Sequence, residues 1–232
     1  HVEDGKAINS LLSWLRSRPN RDLHDGKAPV LLDDDGSIIT ELSVCSKIEE
    51  LRKLSPLYLG PSFDTIVGYA DHGAIIHYSP TPETDIPLRA EGFVLIDTGG
   101  QYEGGTTDIT RTVALGSLSD EMQKCYDAVM QGHKALLNAK FPKGTSGAQL
   151  DSIARYPVWQ AGYDYNHGTG HGVGYMLNVH ECPPNIRKGG TTANIPFEPG
   201  MICSDEPGIY LEGKFGIRTE NMVICVEDSD GM

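Results

Sequence analysis

Four carboxylates stand where strand-like sequence ends or begins. Asp97 closes the apolar run "FVLID", and Asp108 opens "DITRTV" beyond a short glycine-rich turn. Glu206 follows "MICSD", and Glu220 sits in "GIRTEN" near the end of the chain. If each pair belongs to one antiparallel hairpin, opposed side chains lie about 4.5–5.5 Å apart at Cβ, within reach of a shared cation. Acids at the ends of apolar strands are costly to bury without counter-charge. Four carboxylates with one neutral imidazole carry four negative charges, which two divalent cations cancel. A donor set of oxygens with one nitrogen suits Mn²⁺, Mg²⁺, Co²⁺ or Zn²⁺, and the oxygen bias tilts it toward Mn²⁺. Two such ions about 3.5–4 Å apart activate a water and polarise a carbonyl.

Imidazoles are on offer in "NHGTGHGVG", Asn166 to Gly174, where glycine fills every second position. Four glycines inside a helix would cost roughly 0.8–1 kcal/mol each relative to alanine. The zinc helix H-E-x-x-H also fails, because Gly168 stands where its glutamate belongs. A dinucleotide fingerprint fails too, since the sixth position is Val173 counted from Gly168 and Tyr175 counted from Gly170. The spacing instead predicts an extended segment with His167, Thr169, His171 and Val173 on one face. The glycines leave the other face open to close approach by backbone or ligand. Taken singly, each candidate has an ordinary reading as well. Asp108 could merely begin a strand, Glu206 could be a turn residue before Pro207, and His77 and His180 could be satisfied core histidines. His133 reads as structural, and Glu181 and Asp205 as neighbours of the site. Only the combination is specific.

The elements that must position these residues follow from periodicity. Ile8, Leu11, Leu12 and Leu15 have helical spacing, ended by Pro19, and a second helix is expected over about 41–54. "FDTIVGYA" and "AIIHYS" read as strands around "DHG", and "FVLIDTGGQYEGGTTDITRTV" as a hairpin. Ser119 is placed to cap a helix reaching about Lys140, and another runs from about Gly147 to Trp159, with Pro157 near its end. "MLNVHEC" reads as extended. "MICSDEPGIY" and "GIRTENMVICV" form a last hairpin around "EGKFG". The repeated order of helices and hairpin predicts an α+β fold of two similar halves.

Composition narrows the partners. A net charge of −13 argues against nucleic-acid backbones and anionic membrane surfaces. No apolar run approaches the roughly 18 residues of a membrane span. Five widely spaced cysteines without a C-x-x-C pair favour reduced thiols and a cytoplasmic setting. The chain opens at His1 with helix-like sequence rather than a signal peptide. The expectation is one catalytic domain, 1–232, taken from a longer chain whose N-terminal domain or domains are missing here.

In combination, "AIIHYSP", "IDTGGQYEGGTTDITRT", "DYNHGTGHGVGYMLNVHE" and "SDEPGIYLEGKFGIRTEN" resemble the pita-bread metallopeptidases, and most closely the larger, eukaryote-like Xaa-Pro aminopeptidases, from about Phe63 to Cys225. The resemblance implies a curved antiparallel sheet covered by helices. It implies a hydrolase that removes the N-terminal residue from peptides with proline second, using two divalent ions and a bridging hydroxide. Mn²⁺ is the ion favoured, with Co²⁺ or Zn²⁺ as alternatives. By the same resemblance Asp97 binds one ion, His171 and Glu206 bind the other, and Asp108 and Glu220 bridge both. Glu206 is implied as general base, His77, His167 and His180 as substrate-facing histidines, and Arg218 as an arginine beside the metals. A homodimer of the full-length protein is implied too. The alternatives are an X-Pro dipeptidase of prolidase type and a non-enzymatic peptide-binding module on the same fold.

Overall fold

A computed structural model of the chain describes residues 1–228, so the last four positions of the expected 1–232 domain lie outside the described residues. The first half runs α1 (Val2–Arg16), β1 (Asn20–Arg21), β2 (Val30–Leu31), α2 (Glu41–Arg52), β3 (Tyr58–Pro61), β4 (Ile66–Tyr69), β5 (Phe93–Thr98), β6 (Gly100–Tyr102), β7 (Gly105–Thr106) and β8 (Ile109–Ala114). The second runs α3 (Asp120–Leu137), α4 (Gly147–Gln160), β9 (Gly170–Gly172), β10 (Glu181–Ile186), β11 (Ile202–Asp205), β12 (Gly208–Leu211), β13 (Phe215–Arg218) and β14 (Asn221–Ile224). Each half is a pair of helices followed by an antiparallel hairpin, as the repeat in the sequence predicts.

Local chemistry starts the helices. Thr40 and Ser43 form a reciprocal capping box at α2, Ser146 and Gln149 form another at α4, and the Ser119 hydroxyl accepts the Met122 N–H at α3. The apolar stripe of α1 is buried at Ile8, Leu11 and Leu15, against Val44 and Ile48 of α2 and Val94 and Ile96 of β5. β5 is buried along its whole length because β4 and β8 flank it on either edge. Its Phe93 joins a second cluster with Cys125 and Val129 of α3 and Ile217 of β13.

The ladders are short but run on from one another. β11 pairs β14 with Asp205 opposite Asn221, and β12 pairs β13 with Gly208 opposite Arg218. One register serves both, so Glu206 and Glu220 fall opposite each other in the gap, where Pro207 has no N–H to continue the ladder. In the first hairpin Asp97 opposes Thr110, which leaves Asp108 on the diagonal. The hairpins meet where the Glu220 N–H bonds Thr110 O at 3.2 Å and the Thr112 hydroxyl exchanges hydrogen bonds with the Arg218 backbone.

Two segments differ from their sequence reading. "AIIHYS" is not a strand; a 3-10 turn at Ala70–Ala74 leads into bends, with Ala70 at φ 52°. "MLNVHEC" becomes extended only at Glu181, because Met176 takes φ 53°. Both exceptions carry a candidate histidine, His77 or His180.

Under each hairpin lies a buried Asp–Arg pair. Arg52 of α2 donates to Asp4 of α1 from Nε at 2.7 Å and to the Thr98 hydroxyl from Nη1 at 2.6 Å, while Asp4 accepts the Thr107 hydroxyl at 2.6 Å. Thr98 and Thr107 are the chain neighbours of Asp97 and Asp108. In the other half Arg155 donates to Asp151 at 2.6 Å, Asp151 accepts the Thr169 hydroxyl at 2.6 Å, and Arg155 Nη2 donates to His167 O at 2.8 Å. Arg52 and Asp4 are 1% and 3% exposed, so removing one partner strands a buried charge. Arg52→Met is expected to lower stability in urea denaturation by about 3–5 kcal/mol, and Asp4→Leu with Arg52→Met to recover much of the loss. A single substitution costing less than about 1 kcal/mol would contradict this account.

Candidate metal centre

Asp97, Asp108, His171 and Glu206 line one cavity of about 520 Å³, together with His77, His167, His180 and Arg218. Glu220 is 1% exposed and lies outside that lining, yet one of its oxygens falls within 4.8 Å of ligand atoms of Asp108 and His171. The two hairpins and the glycine–histidine segment thus bring the predicted residues together.

His171 stands at the centre. Its Nε2 is 3.4 Å from Asp108 Oδ2 and 3.2 Å from Glu206 Oε1. Its Nδ1 faces the Gly172 carbonyl at 2.8 Å, which holds a proton on Nδ1 and turns Nε2 toward the two acids. Thr110 donates its hydroxyl to Glu220 Oε2 at 2.8 Å, Ser204 donates to Glu206 Oε1 at 3.0 Å, and Arg218 Nη2 donates to Asp97 Oδ2 at 2.7 Å. One oxygen of each of three acids has no partner although it is buried: Asp97 Oδ1, Asp108 Oδ1 and Glu220 Oε1. Unpartnered buried carboxylate oxygens are costly, and the ligand atoms of Asp108, His171 and Glu220 lie within 4.8 Å of one another, a donor set that divalent cations fit.

Electrostatics carry the same signature. Burial, reinforced by Asp97 and Glu206, pushes the Asp108 carboxyl up to about 7. Burial and the nearby Asp108 raise Glu220 well above the usual carboxylate range. Burial disfavours charge on His171, but hydrogen bonds to Asp108 and Glu206 outweigh it and push its pKa up to about 11. The converse holds at Glu206, which is buried yet held down at about 2 by the bond to His171. Protons therefore stand in for positive charge within this cluster.

β9 is extended only over Gly170–Gly172. Thr169 turns its hydroxyl inward to Asp151, so the single face predicted for residues 167–173 ends where the strand begins. The glycines receive protein backbone rather than metal or peptide. A Cβ on Gly170 would lie 2.0 Å from Ser204 O, and one on Gly172 would lie 2.3 Å from Glu181 O. These close approaches let β11 and β10 pack on either side of His171.

The remaining histidines differ in freedom. His167 has both nitrogens engaged, Nδ1 with Gly168 O at 2.7 Å and Nε2 with the Tyr210 hydroxyl at 2.9 Å. The rings of His77 and His180 make no hydrogen bond to the described residues and are exposed to the cavity; His180 lies edge-on to His171, with ring centroids 4.3 Å apart. Burial lowers the pKa of both His167 and His180, and His171 adds to the effect at His180.

Tyr210 is the functional neighbour that sequence reasoning missed. Arg218 Nη1 donates to its hydroxyl at 2.8 Å, which joins Arg218 to His167. A signal existed: Glu206, Gly208 and Tyr210 share a strand face by period two, and bare Gly208 admits the Tyr210 hydroxyl, 2.5 Å from where a Cβ would stand. Asp205, read as a mere neighbour, is fully buried 3.0 Å from His133 Nδ1, and Asn221 meets the other nitrogen of that ring at 2.9 Å.

Comparison with known proteins gives the family. The model of metallopeptidase family M24 matches residues 4–227. The chain is 44% identical to aminopeptidase P1 of Arabidopsis thaliana over 99% of its own length and 36% of the relative's. It is 42% identical to a probable Xaa-Pro aminopeptidase P of Arthroderma otae, over 98% of the chain and 34% of that relative. The chain therefore spans about a third of the length of these curated relatives. Among solved structures it resembles an X-prolyl aminopeptidase from Caenorhabditis elegans, described as a cytosolic enzyme with a di-nuclear active site, at TM-score 0.86 and 36% identity, covering 100% of this chain and 36% of that one. A prolidase from Pyrococcus furiosus superposes at TM-score 0.77 and 28% identity, over 97% of this chain and 60% of that one. On the match from residue 4 to residue 227 and the shared architecture, the chain belongs to metallopeptidase family M24 and has its pita-bread fold.

Proposed function

We propose that this chain is the catalytic domain of a metal-dependent aminopeptidase that removes the first residue from peptides with proline in second position. The observation that carries the reading is the cluster of Asp108, His171 and Glu220, whose ligand atoms lie within 4.8 Å of one another, beside buried oxygens of Asp97, Asp108 and Glu220 that have no partner among the described residues. Asp97, Asp108, His171, Glu206 and Glu220 would hold two divalent cations, which supply an acidified water and Lewis-acid polarisation of the scissile carbonyl. Mn²⁺ as the resident ion, a cytoplasmic setting and pairing of two copies of the full-length protein belong to the same reading.

The chain's own groups then have distinct tasks. Glu206 reaches the cavity with one oxygen steadied by Ser204 and is placed to accept the proton of the attacking water. Arg218 pins Asp97, and through Tyr210 it fixes the ring of His167. His77 and His180, with free ring nitrogens on the cavity wall, are placed to donate to the carbonyl oxygen and to the departing nitrogen. An X-Pro bond has no N–H, so its nitrogen must gain a proton in order to leave. The proline preference is supported by the Xaa-Pro aminopeptidase relatives.

Three outcomes test the reading. In the full-length protein with Mn²⁺, arginine is released from Arg-Pro-Pro and the release stops with chelator. Equal rates on Arg-Ala-Ala reject the proline assignment, and turnover confined to dipeptides such as Arg-Pro favours the prolidase alternative. Asp108→Asn and Glu220→Gln are each expected to lower kcat by at least about a hundredfold, and full turnover in either overturns the shared-ligand assignment. Bound metal is expected on purification, and its absence from all sites by atomic spectroscopy favours the non-enzymatic module.

A fourth test is pH dependence. Asp108 at about 7, Asp205 at about 6 and His171 at about 11 each hold a proton more tightly in the fold than in the unfolded chain, as does Glu220. The folded state therefore releases these protons at higher pH than the unfolded state, and metal-free stability falls as pH rises from about 4 toward 11. Glu206, held at about 2, acts in the opposite sense below its unfolded value of 4.5, and His167 and His180, whose pKa burial lowers, do so up to about 6.5. In chelator, Tm should therefore fall from about pH 7 to about pH 9. Saturating divalent ion binds the deprotonated set and should flatten or reverse the slope. A Tm that rises with pH in chelator would falsify the assignment of these charges.

A further inference from the structure

Glu41 opens α2, and its carboxylate is 0% exposed. It accepts the Tyr69 N–H at 2.8 Å and the Tyr78 hydroxyl at 3.0 Å, and both its oxygens face His72 Nδ1, at 3.0 and 3.1 Å. All three partners belong to residues 69–78, the last residue of β4 and the non-strand segment beyond it that carries His77 to the cavity. Capping does not require this carboxylate, because Thr40 and Ser43 already cap α2. His77 makes no hydrogen bond of its own to the described residues, so its place is set by the backbone beneath it. That backbone is seated on β13, where a Cβ at Gly216 would lie 1.7 Å from Gly73 O, and Arg218 Nη2 reaches Ile76 O at 3.4 Å. The Glu41 carboxylate closes the other side, binding the segment at its start, middle and end.

We infer that Glu41 is a positioning residue for His77: by holding Tyr69, His72 and Tyr78 on one buried carboxylate, it fixes the segment that presents the His77 ring to substrate, without touching the metal ligands. The inference rests on the peptidase reading above for what His77 acts on. The bland alternative is a buried acid that only joins α2 to β4. The two differ in what happens when His77 is absent.

The test is a double-mutant cycle in the full-length, Mn²⁺-loaded protein. Glu41→Gln is expected to lower kcat on Arg-Pro-Pro about tenfold, with bound metal unchanged, and Tyr78→Phe to lower it by a smaller factor. In a His77→Ala background each should cost less than about twofold more. Equal losses in both backgrounds overturn the inference, as does an unchanged kcat in folded Glu41→Gln. If Glu41→Gln does not fold, Tyr78→Phe, which removes a single hydroxyl, carries the same cycle. A second readout is independent of turnover: the ¹⁵N resonances of the His77 ring are expected to shift or broaden in Glu41→Gln or Tyr78→Phe. Unchanged resonances in both refute positioning even if the peptidase reading stands. Failure of the unmutated protein to cleave Arg-Pro-Pro refutes that reading and leaves the resonances to decide the inference.

Discussion

Repulsion among carboxylates is the constraint that organises this chain. Asp97, Asp108, Glu206 and Glu220 are brought together out of water, faced by one guanidinium, Arg218, and one imidazole, His171. Arg218 is committed to Asp97 and Tyr210, and His171 is shared between Asp108 and Glu206. Without further positive charge the cluster keeps protons, on His171 between Asp108 and Glu206 and on the raised carboxyls of Asp108 and Glu220. Dications and protons compete for the same oxygens. On the proposed reading, ions bound by these acids would displace protons, so metal binding and stability would form a single equilibrium.

Such a cluster persists only if its supports cannot drift apart. The scaffold meets this demand twice with the same device. A helix pair or a single helix contributes a buried Asp–Arg pair, and that pair grips a threonine near a ligand: Thr98 and Thr107 beside Asp97 and Asp108, and Thr169 two residues before His171. Threonine suits the task because its branched Cβ restricts χ1 and its hydroxyl both donates and accepts. Thr110 and Thr112 extend the pattern across the junction of the halves, reaching Glu220 and the Arg218 backbone. Ligand geometry thus depends on hydrogen bonds to side chains beside the ligands, on elements packed from both hairpins.

How much of this could be read from the sequence depended on whether the information is local. The helices and both hairpins follow from apolar period and turn residues, and the pairing of Glu206 with Glu220 follows from hairpin register. The extended reading of "AIIHYS" failed because the segment is held by groups distant in the chain, Glu41 at Tyr78 and Arg218 at Ile76. The glycines of "NHGTGHGVG" were rightly read as sites of close approach, but the approaching groups are the carbonyls of Ser204 and Glu181, which no local pattern announces. Asp4, Arg52, Asp151 and Arg155 carried no signal, since a lone charge on a helix reads as solvated surface until its burial is known. Tyr210 was accessible to the same period-two argument that was applied to residues 167–173.

A division between ligands and histidines remains. The metal-directed acids and His171 lie on strands or one residue beyond them, where register and ladder fix the backbone. His77 and His180 ride on irregular segments that contain left-handed residues, Ala70 and Met176. Strand-borne groups cannot be moved without disturbing their partners, whereas a loop can change length or course while the scaffold stands. On the proposed reading, residues 70–80 and 174–180 bear on how a peptide is held. The carboxylates stand on strand ladders or one residue beyond them, whereas His77 stands on a loop that is tied down by side chains, Glu41 among them.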